Sequence, residues 1–120
     1  MSDQSPWPSE LRVSHDKSAL TVAFDSGERF TLPAEMLRVL SPSAEVQGHS
    51  PEQRVTVPGK RHVKIAQVLP IGNYAVRLVF DDRHDSGIFT WVYLHELGVN
   101  GAEKWAGYLT NLEAKGLGRG

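Results

Sequence analysis

Residues 72–98 read GNYAVRLVFDDRHDSGIFTWVYLHELG, and the alternation inside this stretch decides the fold. Tyr74, Val76, Leu78 and Phe80 alternate with Ala75, Arg77 and Val79, the period-two signature of a strand with one face in a core. The polar run Asp81-Asp82-Arg83-His84-Asp85-Ser86-Gly87 follows, and then Ile88, Phe89, Thr90 and Trp91 resume an apolar, β-favouring pattern. The reading is a hairpin with a long charged tip. Two well-patterned strands thus carry the densest run of titratable residues in the chain.

Upstream of this hairpin, Leu11 and Val13 start an alternating run that Leu20, Val22 and Phe24 continue after His15-Asp16-Lys17-Ser18. Asp25-Ser26-Gly27-Glu28 supplies turn chemistry before Phe30 and Leu32, so a three-stranded antiparallel meander is predicted. Pro33 suits the first turn of a helix, where its missing N–H is no loss, and Glu35 complements the positive end of the helix dipole. Met36, Leu37 and Leu40 give this helix an apolar face and Pro42 stops it. Between Ser43 and Arg61 the apolar pattern thins to Val46, Val55 and Val57, and Gly48, Pro51, Pro58 and Gly59 punctuate it, so a long loop with a short strand or two is expected. Val63, Ile65 and Val68 then rebuild a strand that Pro70-Ile71-Gly72-Asn73 ends.

Downstream, Trp91, Leu94 and Leu97 fit a short helical turn. Asn100 with Glu103 three residues on forms a capping-box pattern, and Trp105, Tyr108, Leu109 and Leu112 follow at i, i+3, i+4 and i+7. Trp105, Leu109 and Leu112 are expected to pack this helix, over residues 101–115, onto the sheet. Gly116 marks its end. The fold class is therefore α+β: an antiparallel sheet of about five to seven strands in meanders and hairpins, with two or three flanking helices. A single domain is expected over residues 9–115. Residues 1–8 read as a loose leader from which Trp7 is a candidate to dock, and residues 116–120 as a tail that frays.

At 120 residues and 13.3 kDa the chain suits one domain, large enough to bury about two thirds of its unfolded surface. It has no cysteine, which excludes disulfides, thiolate metal sites, iron–sulfur ligation by this chain and cysteine nucleophiles. With 13 Lys+Arg against 14 Asp+Glu the net charge is −1. That balance lacks the cationic field that nucleic acid or an anionic membrane would favour. Residues Met1–Ser9 have neither a basic n-region nor an apolar h-region, and nowhere do about 18 apolar residues run together. The expectation is a cytoplasmic protein without nucleic-acid or membrane partners. Internal repeats are absent from the sequence.

The loop residues Asp81, Asp82, His84 and Asp85 set three carboxylates and an imidazole within five positions. Such donors suit a weakly held divalent cation or a proton-transfer pair, and the alternative reading is a solvated hairpin tip. The spacing matches neither a calcium loop nor a helical zinc pair. His15, His49, His62 and His95 are scattered. Lys60-Arg61-His62-Val63-Lys64 is the basic cluster, read as the outward face of an edge strand that positive charge protects from pairing. No nucleophile elbow, Walker sequence or G-x-G-x-x-G run occurs. Trp91, Tyr93 and Trp105 read as core aromatics whose polar tips reach partners.

Leu37-Arg38 followed by Ser41-Pro42-Ser43-Ala44-Glu45-Val46-Gln47-Gly48-His49, and then Gly72-Asn73-Tyr74-Ala75-Val76 with Asp81 through Ile88 and Thr90-Trp91, carry a likeness to a known family. Over residues 8–100 the chain resembles the gamma-butyrobetaine hydroxylase-like N-terminal domain family. The resemblance implies a domain that in the hydroxylase precedes a 2-oxoglutarate- and iron-dependent oxygenase domain, and that elsewhere is appended to P-loop scaffold proteins of iron–sulfur cluster assembly. The domain is expected to stand alone here, since residues 1–120 include neither the oxygenase domain nor its iron ligands. A non-catalytic accessory or protein-interaction module, tied to iron–sulfur or oxygenase metabolism, is therefore expected; the alternative is a metal-binding (Zn or Fe) domain or small enzyme using His84 with Asp81, Asp82 or Asp85.

The same resemblance implies a zinc site held in the hydroxylase by C-x-C-x₂-C just after a Leu-Arg pair, with a distant histidine as fourth ligand. Aligned on Leu37-Arg38, the cysteines fall on Ser41, Ser43 and Val46 and the histidine on His84. Serine hydroxyls are poor zinc ligands and valine is none, so the site is expected to be lost and no cofactor to be held. Arg83 stands where relatives commonly carry glycine, which implies a different turn. Asp82, Arg83, His84 and Asp85 are then candidates for a surface facing a protein partner. The neighbouring carboxylates favour a protonated His84 that donates to Asp81, Asp82 or Asp85.

Overall fold

The computed structural model describes residues 7–41, 57–82 and 85–119, with the backbone alone for residues 85–87. Strands β1 (Pro8–Val13), β2 (Ala19–Phe24) and β3 (Arg29–Pro33) lead into helix α1 (Ala34–Val39); β4 (Ile65–Ile71), β5 (Ala75–Phe80) and β6 (Asp85–Thr90) lead into helix α2 (Trp91–Ala114). The architecture is α+β. Its six described strands form two three-stranded antiparallel sheets, β1-β2-β3 and β4-β5-β6, rather than the single sheet expected. Each sheet is a local meander that ends by feeding a helix, and α1 with the long connection behind it separates the two.

The first meander is closed by turn chemistry that the sequence spells out. Asp16 accepts from the hydroxyls of Ser14 and Ser18, both at 2.7 Å, and from the Ser18 amide at 3.1 Å. These bonds compensate for Lys17, which sits at φ 68°, a left-handed conformation that costs a side-chain-bearing residue energy. In the second turn Gly27 takes φ 98° and donates to the Phe24 carbonyl. β1 begins at Pro8, inside the segment read as leader.

In the second meander Val76, Leu78 and Phe80 are buried as the alternation requires, but Tyr74 lies in the turn, 50 % exposed, and Ala75 takes the first buried position. Pro70 does not end β4; it sits within it opposite Val76. β4 is an edge strand, where a missing N–H removes no ladder bond. The basic run 60–64 is not a strand face either, because it precedes β4 and buries Val63. β6 takes in Asp85-Ser86-Gly87, with Asp85 paired opposite Val79, so the hairpin tip is shorter than the polar run.

One core joins both sheets. Leu20, Val22, Phe24 and Leu32 of the first meet Ile65, Val76, Leu78, Phe80 and Phe89 of the second, with Leu37 of α1 and Leu94 and Leu97 of α2. Each such side chain contributes about 1.5–3 kcal/mol by leaving water. A backbone bond from Ile65 N–H to the Lys17 carbonyl at 2.9 Å ties the second meander to the β1–β2 turn, and one from Ala34 N–H to the Ser18 carbonyl at 2.7 Å ties the start of α1 to the same turn. A second cluster gathers Val39, Val57, Tyr108 and Leu112.

α2 connects these clusters. Thr90 caps its start, its hydroxyl accepting from the Tyr93 amide at 3.1 Å. The helix then runs through the region read as two pieces. Asn100, expected to cap the second piece, is an internal kink at φ −109°, ψ 16°. The bend turns the helix from the first cluster, served by Leu94 and Leu97, to the second, served by Tyr108 and Leu112. Gly98 lets the Phe30 ring lie against the helix, since a Cβ there would stand 2.3 Å from the ring. Leu109 is 37 % exposed, so the packing assigned to it belongs to Tyr108 and Leu112. Among the described residues no helix is long and apolar enough to cross a membrane.

The C-terminus also differs from expectation. Gly116 at φ 67° donates to Glu113 O, and Leu117 N–H reaches Leu112 O at 2.9 Å, the paired bonds of a Schellman stop. Beyond it the segment expected to fray is held, with Gly59 N–H on Gly118 O at 2.9 Å and Arg61 N–H on Arg119 O at 2.8 Å.

Candidate functional site

All six residues of α1 are buried, including Glu35 at 6 % and Arg38 at 4 % exposure. Charged groups survive such burial only when paired. Both pairs come from distant sequence. Arg119 sets Nε and Nη2 on the two oxygens of Glu35 at 2.9 and 2.7 Å, a bidentate contact, and its guanidinium lies 5.3 Å from the centre of the Trp105 ring. Arg38 Nε donates to Asp82 Oδ2 at 2.9 Å, and Lys60 Nζ meets the same oxygen at 2.6 Å. Together these contacts make a charged layer over α1 that gathers the β5–β6 hairpin, the segment before β4 and the C-terminal tail.

Electrostatic consequences follow from the geometry. The hydrogen bonds that Arg119 donates to the Glu35 carboxylate hold its guanidinium above its ordinary value. Tyr108, whose hydroxyl donates to Val57 O at 2.6 Å, is raised chiefly by burial and next by the Glu35 charge. Tyr93 also donates into this region, to the Leu40 carbonyl at the end of α1.

Of the loop residues singled out by sequence, the structure ties two to the body of the fold while leaving them exposed. Asp81 Oδ1 accepts from the Lys64 amide at 3.0 Å while its own N–H donates to Lys64 O at 2.9 Å. Asp82 is the shared acceptor of Arg38 and Lys60. Asp85 starts β6, and Arg83 and His84 lie outside the described residues. Ser41 is fully buried just after α1, whereas Ser43 and Val46 lie outside the described residues. Among the described residues no group of three or more His, Asp or Glu side chains gathers as a metal site.

The other histidines stay apart. His15 and His62 sit in exposed turns and His49 lies outside the described residues. His95 meets Glu28 at 2.7 Å and stacks edge-on to Phe24 and Phe30, which clips α2 to the β2–β3 turn. Trp7, held by its carbonyl to Asp25 N–H, lines an open groove of about 270 Å³ with Pro8, Leu11, Asn73 and Trp91.

Sequence reading missed Glu35, Arg38 and Arg119 as a set. Their one local signal is composition: in Ala34-Glu35-Met36-Leu37-Arg38-Val39 the two charges interrupt a helix that is otherwise apolar on every side, which asks for buried partners.

A family model described as gamma-butyrobetaine hydroxylase-like, N-terminal, matches residues 11–95. Two solved structures, each titled "NMR solution structure of the protein", are similar to the chain. One is 45% identical with a TM-score of 0.81, covering 96% of this chain and 90% of that one. The other is 44% identical with a TM-score of 0.81, covering 99% and 90%. A crystal structure of a protein of unknown function from the DUF971 family of Acidithiobacillus ferrooxidans ATCC 23270 is 38% identical, with a TM-score of 0.65, covering 81% of this chain and 98% of that one. None of the curated proteins matches.

Proposed function

The chain belongs to the gamma-butyrobetaine hydroxylase-like N-terminal family, and from that premise we propose that it is a non-catalytic accessory module that binds another protein through the tip of the β5–β6 hairpin. The observation that carries this reading is the anchoring of Asp81 and Asp82. Asp82 Oδ2 accepts from both Arg38 and Lys60, which fixes that carboxylate against α1, and Asp81, bonded to the Lys64 amide, closes the base of the hairpin. Both side chains are spent on architecture rather than proton transfer. Arg83, His84 and Asp85 then follow in sequence on a fastened base, the arrangement that suits a contact surface.

The donor set supports a module without a metal. Ser41 offers a hydroxyl where the family's zinc site needs a thiolate, Ser43 and Val46 do no better, and the same segment carries the buried Arg38 cation. The partner belongs to the iron–sulfur or oxygenase metabolism with which such domains are associated, in the cytoplasm.

Affinity capture with the wild-type chain and with His84→Ala and Asp85→Asn tests this. The variants should keep the wild-type circular dichroism and lose a co-purifying protein that wild type retains. Stoichiometric Zn²⁺ or Fe²⁺ binding at micromolar affinity, abolished by His84→Ala, would instead establish the metal-binding alternative.

A further inference from the structure

We propose that the pocket over Glu35 is a binding site for an arginine side chain presented by an extended segment of a partner protein, and that residues 116–119 fill it in the isolated chain as an internal stand-in. This site lies on the α1 and α2 side of the charged layer and is independent of the hairpin-tip reading.

The pocket has the parts that select a guanidinium. A carboxylate that is only 6 % exposed supplies two oxygens in the plane of a bidentate fork. The Trp105 ring faces the cation at 5.3 Å, and Tyr108, 5.1 Å from Trp105 between ring centres, backs the wall. Lysine could satisfy the charge but not the fork or the flat stacking, so the recognised chemistry is arginine. Beside the pocket the amides of Gly59 and Arg61 point at the carbonyls of Gly118 and Arg119. Any extended backbone offers the same acceptors, which is the sequence-independent part of strand-like peptide recognition.

The present occupant is held through few positions, Gly118 and Arg119. Gly116, Leu117 and Gly118 are exposed, Arg119 keeps 36 % of its side chain in solvent, and glycines flank the arginine on both sides in Gly118-Arg119-Gly120. Among the described residues the guanidinium and two backbone carbonyls fasten the tail, and a partner segment can reproduce both. Left-handed Gly116 ends the helix just before this strap, so release of the strap leaves α2 intact. Because the tail is tethered, its effective concentration is in the millimolar range, and it scales the apparent affinity of any competitor down by the fraction of time the site stands empty.

The probe is the synthetic peptide Gly-Leu-Gly-Arg-Gly, titrated into the full-length wild type and Arg119→Ala while the Trp105 indole and the Gly59 and Arg61 amides are followed by NMR. Arg119→Ala should bind at least about tenfold more tightly than wild type. Replacing the peptide's arginine with lysine should weaken binding about tenfold, and Glu35→Gln added to Arg119→Ala should abolish it. Should Arg119→Ala not fold, Arg119→Lys keeps the charge, loses the fork and should likewise bind the arginine peptide more tightly than wild type. The proposal is overturned if neither variant gives a saturable shift of the Trp105 indole at millimolar peptide, or if the Glu35→Gln double variant binds equally well. It is also overturned if wild type forms a dimer that Arg119→Ala dissolves, since the pocket would then serve a second copy of this chain.

Discussion

Asp82 accepts from two cations whose surroundings differ: the side chain of Arg38 is 5 % exposed and that of Lys60 is 23 % exposed. Asp82→Asn keeps the shape and removes the counter-charge, and Lys60 can turn to water whereas Arg38 cannot. The loss should be about 3 kcal/mol, at the low end for breaking a buried pair because Asp82 itself is partly solvated. That is a large share of a stability of about 5–15 kcal/mol. Asp81→Asn retains the oxygen that accepts from Lys64 and should cost under about 1 kcal/mol. Urea midpoints of the two variants check the contrast, and equal small shifts would remove the structural role assigned to Asp82. Acid sensitivity sits at Asp16, whose carboxyl is held well below the usual carboxylate range, first by the Ser18 hydroxyl and then by the Ser14 hydroxyl and the Ser18 amide. Since the folded value is depressed, the contribution is fully present above pH about 4 and is lost as pH falls through the folded value. An NMR titration should leave the Ser18 amide unmoved down to pH about 4 and shift it only below. Movement at higher pH would mean that the turn does not hold the carboxylate.

Among the elements, α2 carries the most divided task. Its first half serves the core between the sheets, and past Asn100 its second half serves the cluster around Val39 and Val57. Kinks arise where helix bonds are interrupted or glycine relaxes the chain, and here Asn100 precedes a buried Gly101 that packs against Met36. The apolar face of the second half therefore rotates away from Leu109. Leu112→Ala should cost about 2–4 kcal/mol through lost transfer and a cavity, and Leu109→Ala under about 1 kcal/mol. Thermal or chemical denaturation of the pair checks the rotation, and an equal cost at both positions would contradict the kink. α1 is only six residues long, too short to persist by propensity, so its helicity comes from burial and from the ion pairs that neutralise it.

For the molecule as a whole, stability rests on a shared core of two meanders and on long-range ties, with no cysteine to supplement them. Treatment with a strong chelator should leave the melting point within about 5 °C, or roughly 1 kcal/mol at this size. A larger fall would mean that a metal holds the fold and would reopen the Ser41 and His84 region. The tail matters at this scale too. Through Arg119 and the backbone bonds to Gly59 and Arg61 it fastens the segment before β4 to both helices. The chain's last described residues thus join regions 84 positions apart.

What the sequence determined alone was everything set by neighbours a few residues apart. Alternation marked the strands from Leu20 to Phe24 and from Val76 to Phe80. Gly27 and Asp16 marked their turns, and the spacing of Tyr108 and Leu112 marked a helix. Such signals are local because pleat, turn and helix each repeat within a few residues. The two strand clusters were equally legible as one sheet or two, since both place alternate residues against an apolar layer. Only the tertiary structure shows two, with α1 between them in the chain. Asn100 satisfied a cap pattern and became a kink, because continuing α2 buries Tyr108 and Leu112 against Val57, a contact that no window of sequence contains. Glu35 looked like a charge complementing the helix dipole, and Arg38 carried meaning only as part of the Leu37-Arg38 pair. Their burial, and with it the charged layer that defines the site, depends on Arg119, Lys60 and Asp82 arriving from afar, and the energy of a buried charge is set by what surrounds it in space rather than by its spacing along the chain.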